Sequence, residues 1–198
     1  MPKVHPNALL VTPPPQAPKP IRDGKVQVLT VWKKSLLFSC KGFTVFDTKG
    51  NLVFRVDNYL FSNKSKILLM DAAGNPLLTI RQKKLTLADN WVVYDGETEV
   101  KPILIVKKNL SFLNSKLLAH VTSGSNGNNK TVYRIEGSYG QRCCTIYDEK
   151  RCPIAEIKKK ESVTGGVSFG SDVFRLVVQP DMEPAVAMAL VILLEQMY

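Results

Sequence analysis

From Lys25 to Val178 the chain is a series of short segments in which apolar and polar residues alternate, and it ends in a single unbroken apolar run. The segments are rich in β-branched and aromatic residues and bounded by Gly, Asn, Asp, Ser or Lys, the pattern of half-buried β-strands. They fall at Val26–Trp32, Phe43–Phe46, Leu52–Val56, Ile67–Met70, Leu77–Arg81, Trp91–Tyr94 and Ile103–Val106. Further segments follow at Leu110–Leu113, Leu117–Val121, Val132–Ile135, Cys144–Tyr147, Ile154–Ile157 and Val173–Val178. Between Val121 and Thr131 lies a polar, Gly- and Asn-rich loop that can divide the series into two sub-halves. A second, weaker helix is conceivable around Lys83–Asn90.

The closing run has a different period. Ala185–Leu194 contains no polar residue, and Pro184 suits a first helical position with Asp181 and Glu183 just ahead of it. Nothing within Ala185–Met197 breaks a helix, so residues 183–198 read as one helix. About 15 residues at 1.5 Å each span about 22 Å, short of the roughly 20 residues a bilayer crossing needs. A helix apolar on every side needs apolar neighbours on every side. Lipid can supply them, or the inside of a closed protein shell, and the shortness of the run and its acidic start favour the shell.

One unit recurs along the strand region. Val45-Phe-Asp47-Thr-Lys-Gly50 is matched by Leu69-Met-Asp71-Ala-Ala-Gly74 and by Ile146-Tyr-Asp148-Glu-Lys-Arg151. Asp at the start and Gly in the fourth place suit a type I turn closed through a left-handed residue, so each copy reads as a β-hairpin. Arg151 in the Gly place must accept a positive φ or use another turn. Repeated hairpins build an antiparallel sheet, and a dozen strands tend to curl and close. The expected fold is mainly β: a closed antiparallel β-barrel of about twelve strands around a central buried apolar C-terminal helix.

Composition narrows the function. Residues 1–24 hold seven of the twelve prolines and read as an extended Pro-rich tail, leaving 25–198 as a single domain. No apolar core of a signal peptide stands in Met1–Gln16. The four cysteines lack CxxC spacing and a nearby His, as reduced thiols in a cytoplasmic protein do. Only two histidines are present, and one, His5, lies in the tail. Neither a histidine metal cluster nor a Cys–His pair is provided for, so no catalytic, metal or cofactor residues are assigned. Gly166-Val-Ser168-Phe-Gly170 fits the G-x-S-x-G elbow, but a strand-like segment follows it and no His lies beyond His120. It reads as a Gly-rich hairpin turn.

Net charge is +10, which favours an anionic partner. The charge is bunched at strand ends: Lys83-Lys84, Lys107-Lys108 and Lys158-Lys159-Lys160. If those ends share a rim they form a positive mouth for an anionic lipid. If they alternate between rims they are dispersed solubilising charge.

The repeated Asp-x-x-Gly hairpins, the Lys158–Lys160 run, the Asp172-Val-Phe174 strand and the final Asp181…Ala-Val-Ala-Met-Ala-Leu-Val-Ile-Leu-Leu helix together resemble the LURP-one-related proteins, a plant family. Phe43–Val56 and Trp91–Tyr94 add to the likeness. The same order of features is similar, more distantly, to phospholipid scramblases and the tubby C-terminal domain. The resemblance covers Lys25 to Tyr198 and implies a twelve-stranded barrel around a central helix. For tubby it implies phosphoinositide binding and membrane-tethered transcriptional regulation, and for the plant family a part in pathogen defence. It carries over no catalytic residue. Of the acidic segment that scramblases associate with calcium, only Asp172 and Asp181 stand near the right places. Of their cysteine-rich run, Cys143-Cys144 is at best a remnant.

The expectation is therefore a monomeric, non-enzymatic binding or regulatory module without a cofactor. It docks phosphoinositide headgroups through Lys83, Lys84, Lys107, Lys108, Lys158, Lys159 and Lys160. It is cytoplasmic, with the plasma-membrane periphery and the nucleus as further locations. The alternatives are a scramblase-like protein whose final helix inserts in lipid, a nucleic-acid-binding transcriptional regulator, or a module whose ligand is a protein partner.

Overall fold

A computed structural model describes residues 24–34, 41–58, 66–83, 90–110, 116–124, 130–160 and 170–198. The strands are β1 (Gln27–Trp32), β2 (Lys41–Phe46), β3 (Leu52–Asn58), β4 (Lys66–Asp71), β5 (Pro76–Gln82) and β6 (Asn90–Asp95). They continue with β7 (Pro102–Lys108), β8 (Leu117–Ser123), β9 (Thr131–Ser138), β10 (Cys143–Tyr147), β11 (Pro153–Lys159) and β12 (Val173–Val178). Each pairs antiparallel with its sequence neighbours, and β1 pairs with β12, so the sheet closes. The sheet runs unbroken from β8 to β9, so the loop after Val121 does not divide it. Leu110 lies in no strand, and the rest of the segment expected at Leu110–Leu113 falls outside the described residues. So do Lys84, most of the conceivable helix near Lys83–Asn90, and the G-x-S-x-G stretch up to Phe169.

The alternation seen in the sequence becomes the two faces of the barrel wall. Leu29 and Val31 on β1 point inward with Phe174, Leu176 and Val178 on β12, all buried. An eight-stranded barrel can be filled by its own side chains, but twelve strands enclose a wider lumen. The helix α1 (Pro184–Met197) fills it. Every residue from Ala187 to Leu194 has 0% of its surface exposed. Small Ala185, Ala187 and Ala189 and large Leu190, Ile192, Leu193 and Leu194 are buried alike. Pro184 opens the helix as the sequence predicts, but Glu183 at the N-cap makes no side-chain capping bond. No helix among the described residues is long and apolar enough to cross a membrane.

The three repeated turns share one construction. The Asp47 carboxylate accepts hydrogen bonds from the backbone N–H groups of Lys49 and Asn51 and from the Asn51 side chain. The Gly50 N–H closes the turn on the Asp47 carbonyl at 3.2 Å. Asp71 repeats this with Gly74 and Asn75, and Asp148 with Arg151 and Cys152. The Asn51 side-chain bond, with the backbone bonds, holds the Asp47 carboxyl below its ordinary range. Burial pushes the Asp71 carboxyl up, but the bonds from Asn75, Gly74 and Ala73 together outweigh it and lower the carboxyl. Arg151 does take a positive φ, +63°, in the place where Gly50 and Gly74 stand. Its guanidinium reaches Glu136 at 3.0 Å, so the strained backbone still gains an ion pair.

Candidate functional site

Strands alternate in direction around the barrel, so the odd-numbered ones all run the same way and end at one rim. Lys83 follows β5, Lys107 and Lys108 close β7, and Lys158 and Lys159 close β11 with Lys160 just beyond it. These lysines therefore share a rim. The strands that carry them are spread around it: β7 stands two places from β5, and β11 six. The structure thus brings the basic runs to one end of the barrel without gathering them into one cluster. Lys33 and Lys34 after β1, and Arg142 before β10, join them there. The opposite rim carries the hairpin turns with Asp47, Asp71, Asp95 and Asp148 and the Asp181–Glu183 approach to the helix, together with Lys49, Lys101, Lys130, Lys150 and Arg151.

The helix ends at the basic rim, and part of the basic charge is committed to it. Strand phase decides which part. On β1 the inward positions run Leu29, Val31, then Lys33, and the Lys33 ammonium meets the Glu195 carboxylate on the last turn of α1. On β7 they run Leu104, Val106, then Lys108, whose ammonium donates to the Met197 carbonyl and lies 4.3 Å from the Tyr198 ring centre. Terminal helix carbonyls have no partner within the helix, and the dipole favours cations at that end. Lys158 points outward and pairs with Glu156. Lys83, Lys107 and Lys159 are exposed and make no ion pair among the described residues.

Glu195 is the polar residue at which the apolar helix meets this rim. Besides Lys33 it accepts a hydrogen bond from the Tyr139 hydroxyl at 3.0 Å, and Arg142 Nη2 lies 3.6 Å away. The Arg142 guanidinium is buried between the rings of Tyr139 (4.2 Å) and Phe174 (4.4 Å), and its Nε donates to the Ser171 carbonyl at 2.9 Å. Burial pushes the Tyr139 phenol far above its ordinary range; Arg142 opposes that shift and Glu195 adds to it. Lys33, Tyr139, Arg142 and Glu195 belong to no motif of the sequence. Lys33 alone carried a signal, since it stands two places beyond Val31 in an inward-facing series.

Chemistry elsewhere is sparse. No group of three or more His, Cys, Asp or Glu able to hold a metal occurs among the described residues. Cys143 is exposed at the basic rim, whereas Cys144 is buried in the core. Burial, with a contribution from Cys143, pushes the Cys144 thiol up to about 11. That keeps it protonated and unreactive at neutral pH, so of the neighbouring pair only Cys143 presents a usable thiol.

The sequence is 55% identical to Protein LURP-one-related 8 of Arabidopsis thaliana, over 100% of this chain and 98% of that protein. It is 46% identical to Protein LURP-one-related 17 of the same plant, over 88% of this chain and 85% of the relative. A solved X-ray structure of an Arabidopsis thaliana protein superposes with a TM-score of 0.66, covering 87% of this chain and 91% of that one. At 24% identity that likeness speaks for the fold alone. The family model described as LURP-one-related matches residues 27–195, from the first strand to the last turn of the core helix, and the chain belongs to that family.

Proposed function

We propose that the protein is a non-enzymatic docking module that recognises anionic phosphoinositide headgroups at a membrane surface through its basic rim. It works from the cytoplasm, at the membrane periphery, as a monomer and without a cofactor. A part in plant defence, relayed to the nucleus, belongs to the same proposal and rests on the family. One observation carries the reading: the lysines at the ends of β5, β7 and β11 share one rim, whereas the opposite rim mixes its carboxylates with Lys49, Lys101, Lys130, Lys150 and Arg151. A flat anionic surface attracts such a rim as a whole. Each lysine near an anionic membrane contributes about 1 kcal/mol, and the attraction fades beyond a Debye length of about 8 Å.

The test is sedimentation with phosphatidylcholine vesicles, with and without phosphoinositide, at two salt concentrations. The parent protein should bind only the anionic vesicles and release them at high salt. Lys83→Glu with Lys107→Glu should weaken binding by at least about thirtyfold, the equivalent of roughly 2 kcal/mol. Absence of binding by the parent, or equal binding by the double variant, overturns the reading in favour of a nucleic-acid or protein ligand. Insertion of α1 into lipid is not part of the proposal. The helix already has its apolar surface covered by the barrel wall, and insertion would expose the wall's inner face in exchange.

A further inference from the structure

The rim that gathers the lysines also gathers exposed aromatic surface. Five large apolar side chains are exposed among the described residues: Val26, Trp32, Val100, Leu110 and Tyr198. Trp32 ends β1, Leu110 follows β7, and Tyr198 ends the helix, so these three stand at the basic rim. Val26 and Val100 stand at the acidic one. Trp32 and Tyr198 each carry a lysine ammonium over the ring, Lys34 at 5.2 Å and Lys108 at 4.3 Å. The Tyr198 hydroxyl is tied to the Leu118 carbonyl at 2.9 Å, which fixes its ring beside Lys108.

We infer that the barrel stands end-on against an anionic bilayer, with Trp32 and Leu110 entering the headgroup layer on opposite arcs of the basic rim. This rests on the docking reading above and adds its orientation and its apolar contacts. Indole and phenol rings favour the boundary between headgroups and acyl chains, where one part of the ring is dry and another wet. Lys34 beside Trp32 and the exposed Lys107 near Leu110 meet the lipid phosphates at the same depth.

The spacing chooses the partner. Trp32 belongs to β1 and Leu110 to the end of β7, six strands apart in a ring of twelve. Twelve strands about 4.8 Å apart and tilted about 40° make a barrel roughly 24 Å across, so the two side chains lie on opposite sides of the barrel. That is too far apart to clamp one headgroup or one base. Binders of single-stranded nucleic acid set successive aromatics along a basic groove, and here they stand on separate arcs. A flat surface meets both arcs at once.

Tryptophan fluorescence tests this directly, because the other tryptophan, Trp91, is buried in the core at 4% exposure while Trp32 is 41% exposed. On vesicles of phosphatidylcholine and phosphoinositide, the emission should shift to the blue and be quenched by lipids brominated in the acyl chain. Vesicles of phosphatidylcholine alone should do neither. Trp32→Ala and Leu110→Ala should each weaken vesicle binding by about tenfold. Their binding of soluble inositol phosphate should match the parent's, and Trp91 emission should show both variants folded. If the protein sediments with anionic vesicles but emission and both variants are unaffected, docking survives and the end-on insertion fails. If it sediments with none, both fail. Quenching by a single-stranded oligonucleotide with none by bromolipid overturns the inference and gives the rim to nucleic acid.

Discussion

The Tyr139 hydroxyl donates to the Glu195 carboxylate across 3.0 Å, joining the turn after β9 to the last turn of α1. With Lys33 just after β1 and Arg142 from the same turn as Tyr139, it fastens the core helix to the wall at the basic end. At the other end α1 is entered through a tight turn in which the Met182 N–H meets the Gln179 carbonyl at 3.1 Å. The apolar middle sets the depth of burial but has few directional contacts, so the polar end fixes rotation and register.

The two partners of that bond should differ in cost when removed. Tyr139→Phe leaves Glu195 with two cations and should cost about 1 kcal/mol, the usual net worth of one hydrogen bond. Glu195→Ala leaves Arg142 buried without its carboxylate and should cost about 3 kcal/mol or more. Urea denaturation of both variants measures the difference. Equal costs would mean that Glu195 is solvated and does not fasten the helix.

Burial of the helix sets a larger cost. Leu190 has 0% of its surface exposed, and an unpaired charge there costs several kcal/mol against a domain stability of roughly 5–15. Leu190→Asp should yield no folded protein, and Leu190→Ala should fold with a loss of about 2–5 kcal/mol. A Leu190→Asp protein with the parent's melting temperature would contradict the central position of α1.

Cys144 ties stability to alkaline pH. Its thiol ordinarily loses its proton near 9.0, and burial raises that to about 11 in the fold. The unfolded chain therefore ionises first as pH rises. Stability from this group is whole below about pH 9 and is lost progressively toward pH 11. The melting temperature should fall more steeply over that window in the parent than in Cys144→Ala, whatever the baseline change from the smaller side chain. Parallel slopes would show that the buried thiol is not linked to folding. At neutral pH, exposed Cys143 and Cys152 should react with a thiol reagent while Cys144 waits for unfolding.

Much of this architecture could be read from the chain, and the misses have physical causes. Alternation marks a strand whenever one face is buried, which holds for every strand of a barrel packed on a helix. Leu110–Leu113 shows the same apolar character without being a strand at Leu110, which is exposed and follows the end of β7. Counting it as a strand shifts the numbering of all later ones by one. The strand ending at Lys158–Lys160 then becomes even-numbered and is sent to the wrong rim. Since β7 pairs directly with β8, one extra strand in the count hides the shared basic rim, which depends only on direction around the barrel. The Glu195 cluster was illegible for another reason. Its members come from the residue after β1, the β9–β10 turn and α1, and only closure of the sheet brings them within reach.

Adjacent lysines at the end of β7 separate the two uses of positive charge at that rim. Lys108 follows the inward series Leu104 and Val106, donates to the Met197 carbonyl and covers the Tyr198 ring. Lys107 faces outward, is exposed, and makes no ion pair among the described residues. Lys108→Ala strips a helix-end carbonyl of its donor and an aromatic ring of its cation, so it should lower stability by about 1–2 kcal/mol. Lys107→Ala should leave stability within about 0.5 kcal/mol, as for most surface substitutions. On vesicles containing phosphoinositide the order should reverse relative to that scale. Lys107→Ala should weaken binding about fivefold to tenfold through loss of one ammonium near the surface. Lys108→Ala should change binding by less than threefold once folding is allowed for, since its ammonium is already committed to the helix. Chemical denaturation and vesicle titration of the two single variants decide it. A Lys107→Ala protein that is destabilised but binds normally, beside a Lys108→Ala protein that is stable but does not bind, would reverse the assignment of the two side chains.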